Sequence, residues 1–163
     1  MIKTSIISIF FTILLTTNSF SAGSGDGGTT KKRTQYDMAV SLVKAAKKFE
    51  KKDKIEKAKK NYEKAQKLLI ASNDKKPKNA DTLNYLGFTT RKLGDFSNGE
   101  KYYLEGLAIN PNHIGINEYL GELYVATNRI ELAKERLKVL EGCNCEEYKE
   151  LKDVIEGNKT SKY

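Results

Sequence analysis

Residues 83–87 read Leu83-Asn84-Tyr85-Leu86-Gly87. Residues 93–96 read Leu93-Gly94-Asp95-Phe96, and Tyr103 and Asn110-Pro111 follow. Further on come Tyr119-Leu120-Gly121, Tyr124, Asn128, Ile130, Ala133 and Leu137. The pairs 86/120, 87/121, 94/128, 96/130, 99/133 and 103/137 are each 34 positions apart. A fixed period of this length is the mark of a repeat architecture, in which each unit buries a face against its neighbour. The matched positions are small residues where helices cross and large apolar residues between them. They are packing positions, so the period decides the architecture and names no partner.

Local signals place helices on either side of each Gly-Asp or Asn break. Asn79 can cap a helix over residues 80–92. Gly94 can take the left-handed conformation that ends it, and Asp95 can cap the next helix over residues 96–109, which Pro111 stops. Asn112 or His113 opens a third helix running to about residue 126. Asn128 stands where Gly stood one period earlier, and a fourth helix runs over residues 130–140 to Gly142. Asn144 with Glu147 offers a capping box for a last helix over residues 145–156, striped with Tyr148, Leu151, Val154 and Ile155.

Upstream, Ala39, Leu42, Val43, Ala46 and Phe49 recur at helical spacing over residues 36–52. Ile55, Ala58, Tyr62, Ala65, Leu68 and Leu69 then form a second stripe ending at Ser72-Asn73-Asp74. The spacing predicts a helix pair offset by 41 rather than 34 from the next, so its second helix should be about two turns longer.

Of 163 residues, 39% are hydrophobic and 31% charged; two are Pro and none is Trp. That composition suits long helices and not a turn-rich β fold. The net charge of +8 is uneven. Residues 31–78 carry 17 Lys/Arg against 6 Asp/Glu, and residues 79–163 carry 11 against 14. Such asymmetry fits an anionic partner or a solvated lysine face.

Residues 1–22 read as a secretory signal peptide. Lys3 supplies the positive start, residues 6–15 are apolar but for Ser8 and Thr12, and Ser19-Phe20-Ser21 precede the cut. The apolar run is about half of the ~20 residues that span a bilayer; retention as an anchor is the alternative. The mature protein is therefore expected in a periplasm or outside the cell. Residues 23–35, rich in Gly, Ser and Thr before Lys31-Lys32-Arg33, read as a flexible linker.

The 34-residue pattern resembles the tetratricopeptide repeat. From Ala80 it supplies Leu83, Leu86, Gly87, Thr90, Gly99, Tyr103, Gly106 and Pro111 at the family's positions. From Ile114 it supplies Asn117, Leu120, Gly121, Tyr124, Ala133, Leu137 and Leu140. From Ala39 it supplies Leu42, Ala45, Ala46, Phe49, Ala58, Tyr62 and Ala65. Gly99 and Gly106 stand where the family uses Ala, and the first unit lacks Leu-Gly. The resemblance implies an all-α, right-handed superhelical stack of helix-turn-helix repeats with a C-terminal capping helix. Its layout is a repeat domain at 36–157, with a degenerate repeat at 39–79, repeats at 80–113 and 114–143, a cap at 145–157 and a disordered tail at 158–163.

The resemblance also implies a concave groove, lined by the first helix of each pair, that holds a peptide. Carried onto this chain, its positions are Val43, Lys47 and Lys51; Asn84, Phe88, Arg91 and Lys92; and Glu118, Glu122 and Val125. The expectation is an exposed Phe88 as apolar anchor, with Arg91 and Lys92 facing a partner's carboxylates. The family's clamp for chaperone tails is not present, because Val43, Lys47, Tyr85, Gly115 and Tyr119 occupy its places.

No catalytic constellation is evident. The one His, His113, sits at a helix start, and there is no phosphate loop or nucleophile elbow. Cys143-Asn144-Cys145 is the one reactive-looking site, and three readings stay open. The pair is a local disulfide or half-buried thiols, a redox-active or partner-linking thiol, or a metal site short of ligands. Neither a cofactor nor a metal is expected. The leading reading is an exported, non-enzymatic scaffold or assembly factor that binds a protein or peptide segment. The alternatives are a basic adaptor for an anionic envelope polymer or membrane surface and a thiol-dependent redox protein. Nucleic acid fits the charge but not the export signal.

Overall fold

The computed structural model describes residues 32–159; the stretch expected to be a signal peptide, most of the expected linker and residues 160–163 of the expected tail lie outside it. The first helix, α1 (Gln35–Glu50), starts one residue earlier than its apolar stripe predicts. The cause is a capping box between Thr34 and Asp37. Thr34 Oγ1 accepts from the Asp37 amide at 3.1 Å, and the Thr34 amide donates to Asp37 Oδ2 at 2.9 Å.

Next come α2 (Ile55–Lys75), α3 (Ala80–Lys92) and α4 (Phe96–Ile109). At 21 residues against 14, α2 carries the seven extra residues of the first unit. Asn79 Oδ1 caps α3 through the Thr82 amide at 2.8 Å. Gly94 sits at φ +95°, and Asp95 Oδ1 caps α4 through the Asn98 amide at 3.0 Å. His113 Nδ1 accepts from the Ile116 amide at 3.1 Å and so caps α5 (Ile114–Ala126). Asn128 takes φ +59° before α6 (Ile130–Val139).

Two details differ from the sequence reading. The expected Asn144–Glu147 capping box is not formed. Asn144 is left-handed at φ +50°, and the cap position of α7 (Glu146–Ile155) falls on Cys145, whose sulfur is bonded to Cys143. The tail is also docked at its start. The Asn158 amide donates to the Asp153 carbonyl at 2.9 Å, and Lys159 is ion-paired with Glu150.

Helices pair as α1·α2, α3·α4 and α5·α6, and α2 packs on α3 and α4 on α5. The odd-numbered helices also touch in sequence, α1 on α3, α3 on α5 and α5 on α7, and so form one continuous inner layer. Two apolar clusters run through the stack. One joins Val43, Tyr62 and Leu69 to Leu86 and Phe88; the other joins Tyr103 to Ile116, Leu120, Leu123 and Ala133.

The periodic glycines set the spacing. A Cβ on Gly87 would lie 2.5 Å from Tyr103 Cε1, and one on Gly121 would lie 2.5 Å from Leu151 Cδ2. Each admits a bulky side chain into a gap that any other residue would close. Because Leu151 belongs to α7, the last helix packs on α5 as the first helix of a further unit would.

Candidate peptide-binding groove

The inner layer borders a cavity of about 1080 Å³. Lys47, Glu50 and the capping Lys51 reach it from α1 and its end, Phe88, Arg91 and Lys92 from α3, and Glu118, Tyr119 and Glu122 from α5. Glu146, Glu147 and Glu150 line it from α7.

The floor is aromatic and closed. The Phe88 ring lies 5.8 Å from that of Tyr62 and 4.9 Å from that of Tyr119. Lys47 Nζ sits 4.5 Å above Phe88 and donates to Tyr119 Oη at 2.9 Å. Phe88 is consequently only 4% exposed and is not the protruding anchor expected from the sequence. Its neighbours on α2 and α5 cover it.

The basic residues of α3 also have a different task from the one expected. Arg91 is 1% exposed; it forms an ion pair with Glu122 at 3.2 Å and donates to the Tyr119 carbonyl at 2.6 Å. Lys92 pairs with Glu50 at 2.7 Å, and the Tyr62 hydroxyl donates to the same carboxylate at 2.9 Å. These cations tie α3 to its neighbouring helices rather than reaching for a partner's carboxylates.

Of the remaining carried-over positions, Lys47, Lys51, Glu118 and Glu122 line the cavity. Val43 is buried in the first apolar cluster, Asn84 is buried beside Gly115, and Val125 is half-buried against the second cluster; none of the three lines it. Sequence reasoning missed Glu50, Tyr119 and the three α7 carboxylates. The signal for α7 was available in its own acidic face, Glu146, Glu147 and Glu150, but the repeat pattern ends before it.

Glu118 stands apart from its neighbours. It is 9% exposed and lines the cavity, yet its carboxylate makes no hydrogen bond or ion pair with any described residue. Burial first, then the nearby Glu122 and Glu147 carboxylates, push it up to about 8, with Lys47 opposing.

Cys143 and Cys145 are joined in a disulfide with their Cα atoms 5.2 Å apart, and neither lines the cavity. Among the described residues no group of three or more His, Cys, Asp or Glu side chains is placed to hold a metal ion. No helix among them is long and apolar enough to cross a membrane.

A family model described as tetratricopeptide repeat matches residues 80–113, the α3–α4 unit. No curated protein sequence matches the chain. Among solved structures it is similar to the first TPR domain of human RPAP3, at 23% identity and TM-score 0.54, over 77% of this chain and 98% of that one. It is also similar to the first TPR of Spaghetti (RPAP3) bound to HSP90 peptide SRMEEVD, at 21% identity and TM-score 0.53, over 77% and 96%. The chain thus has the fold of a tetratricopeptide-repeat domain, an all-α stack of helical hairpins.

Proposed function

We propose that this tetratricopeptide-repeat protein is an exported, non-enzymatic interaction module, a scaffold or assembly factor, that holds a segment of another protein in its concave groove. The observation that carries this reading is the continuous inner layer. Four helices from successive units present one cavity of about 1080 Å³, with Lys47, Lys51, Arg91 and Lys92 beside Glu50 at the α1 and α3 end and only acidic charges on α5 and α7. Its floor is already packed, so a ligand meets a preformed surface. The solved relative that holds an HSP90 peptide supports a peptide as the kind of ligand. Export is supported by the charged start and apolar run of residues 3–15 and by the cysteine pair, since disulfides persist in oxidising compartments.

A second reading has its own observation. Lys44, Lys48, Lys59, Lys60, Lys64 and Lys67 are all exposed on the first helix pair, which suits an anionic polymer or membrane surface. Affinity capture from the native compartment separates the two. Wild type is compared with Lys51→Glu/Glu147→Lys in the groove and with Lys59→Glu/Lys67→Glu outside it, all checked for native helicity by circular dichroism. A partner lost only with the groove variant supports the first reading. One lost only with the outer variant, and weakened steeply by salt, supports the second. A partner indifferent to the groove variant removes the groove from consideration.

A further inference from the structure

We infer that Glu118, flanked by the carboxylates of α7, is the receptor for a lysine or arginine side chain of the bound segment. This names the chemistry of the partner and rests on the groove reading above.

The charges in the cavity are mostly matched inside the protein. Arg91 is held by Glu122, Lys92 by Glu50, Lys47 by the Tyr119 hydroxyl and the Phe88 face, and Glu150 by Lys159. Among the described residues Glu118 has no such partner, although it is about nine-tenths buried and borders the cavity. A buried carboxylate without a partner carries an uncompensated desolvation cost. It is offset in part by water reaching the cavity or by a proton, and most fully by a cation brought from outside.

The surroundings favour a cationic side chain over other ligands. Glu146 and Glu147 line the same wall from α7 and raise its negative potential, so an acidic segment is repelled at this end. A bare metal ion is a poor occupant, because no three ligating side chains converge among the described residues. An ammonium or guanidinium needs no such convergence, and it brings donors to oxygens that have none. The aliphatic stem of the lysine or arginine would run over the Tyr119 ring beside it.

Protonation links to this binding. The charged groups acting on Glu118 are Lys47 from α1, Glu122 from α5 and Glu147 and Glu150 from α7, and Arg91 from α3 lines the same cavity. The acids outnumber the cations, and one of the cations is already paired with Glu122. Near neutral pH a cation entering the pocket therefore displaces a proton from Glu118.

The test uses the purified full chain and three capped heptapeptides, identical except for a central lysine, norleucine or glutamate. Amide NMR shifts locate binding, and calorimetry in two buffers of different ionisation enthalpy counts protons. The lysine peptide should bind about ten- to hundredfold more tightly than the norleucine peptide, the range expected of a hydrogen-bonded charge. It should shift the amides around residues 118–122 and 146–150, and release a proton at pH 7. Glu118→Gln mimics the protonated acid and so should fold normally; in it both the lysine preference and the proton release should vanish.

Equal binding of the lysine and norleucine peptides, tighter binding of the glutamate peptide, or an unchanged preference in Glu118→Gln would overturn the inference. In those cases groove shifts would leave the groove reading standing. The same shifts produced by raising the protein concentration alone would assign the pocket to a second copy and overturn the partner segment. No groove shift with any peptide would remove both.

Discussion

Arg91 Nη2 lies 3.2 Å from Glu122 Oε2, joining the second helix pair to the third, with the arginine side chain wholly buried and the glutamate side chain 10% exposed. The same guanidinium donates to the Tyr119 carbonyl at 2.6 Å, so two sites on α5 hold one group of α3. Removing one partner of such a pair leaves a buried charge uncompensated. Glu122→Ala should therefore lower stability by about 3–5 kcal/mol. Glu122→Gln retains an acceptor and should lose less. Urea denaturation of the two variants checks the order.

Gly87 meets the Tyr103 ring where a Cβ would lie within 2.5–2.8 Å of three ring carbons. Gly87→Ala gains about 1 kcal/mol of helix propensity. Overpacking against the fully buried ring outweighs it, for a net loss of about 1–2 kcal/mol. Tyr103→Leu opens the space, so the double variant should be more stable than the sum of the single losses predicts, by at least about 0.5 kcal/mol. A double-mutant cycle in urea measures this coupling.

Glu118 imposes a pH dependence of definite sign. Its carboxyl is raised from 4.5 to about 8 in the folded chain. Between those values the folded state holds a proton that the unfolded state has lost. The contribution of this group to stability is thus complete below about pH 4.5, declines as pH rises, and is gone above about 8. Thermal melts of wild type should show that decline between pH 5 and 8, and Glu118→Gln should flatten it.

The Cys143–Cys145 bond should leave no titratable thiol in the native protein and two after reduction. Two thiols before reduction would contradict the pairing. The bond closes a ring of only three residues, so reduction should cost no more than about 1–2 kcal/mol on chain-entropy grounds. Ellman titration followed by urea denaturation of the reduced chain measures both.

Helix ends were legible where their cause is local. Asn79, Asp95 and His113 accept from amides three residues on, and Gly94 and Asn128 take positive φ. Each is a property of a few adjacent residues. The Thr34–Asp37 box is equally local and was readable, but it lay at the edge of a Gly-rich stretch read as linker. At Asn144 the local rule failed because the cysteines on either side are bonded to each other. The lining of the cavity was legible in part, since Val43, Asn84 and Val125 do not reach it, and the role of each residue was not. Lys47, Phe88, Arg91, Lys92, Glu118 and Glu122 do border one cavity, but no spacing rule states which of them are consumed by neighbours.

By itself the sequence determined the repeat. Spacing of 34, small residues at helix crossings and caps at the breaks depend on contacts within one unit or between adjacent units, and these repeat with the chain. The tertiary structure decided the rest. It buried Phe88 between Tyr62 and Tyr119, turned Arg91 inward to Glu122, and brought α7 beside α5 so that Glu146, Glu147 and Glu150 line the cavity that Glu118 borders. Whether a charged side chain serves the fold or faces a ligand depends on which distant groups lie within hydrogen-bond reach. That is set only when the helices stack.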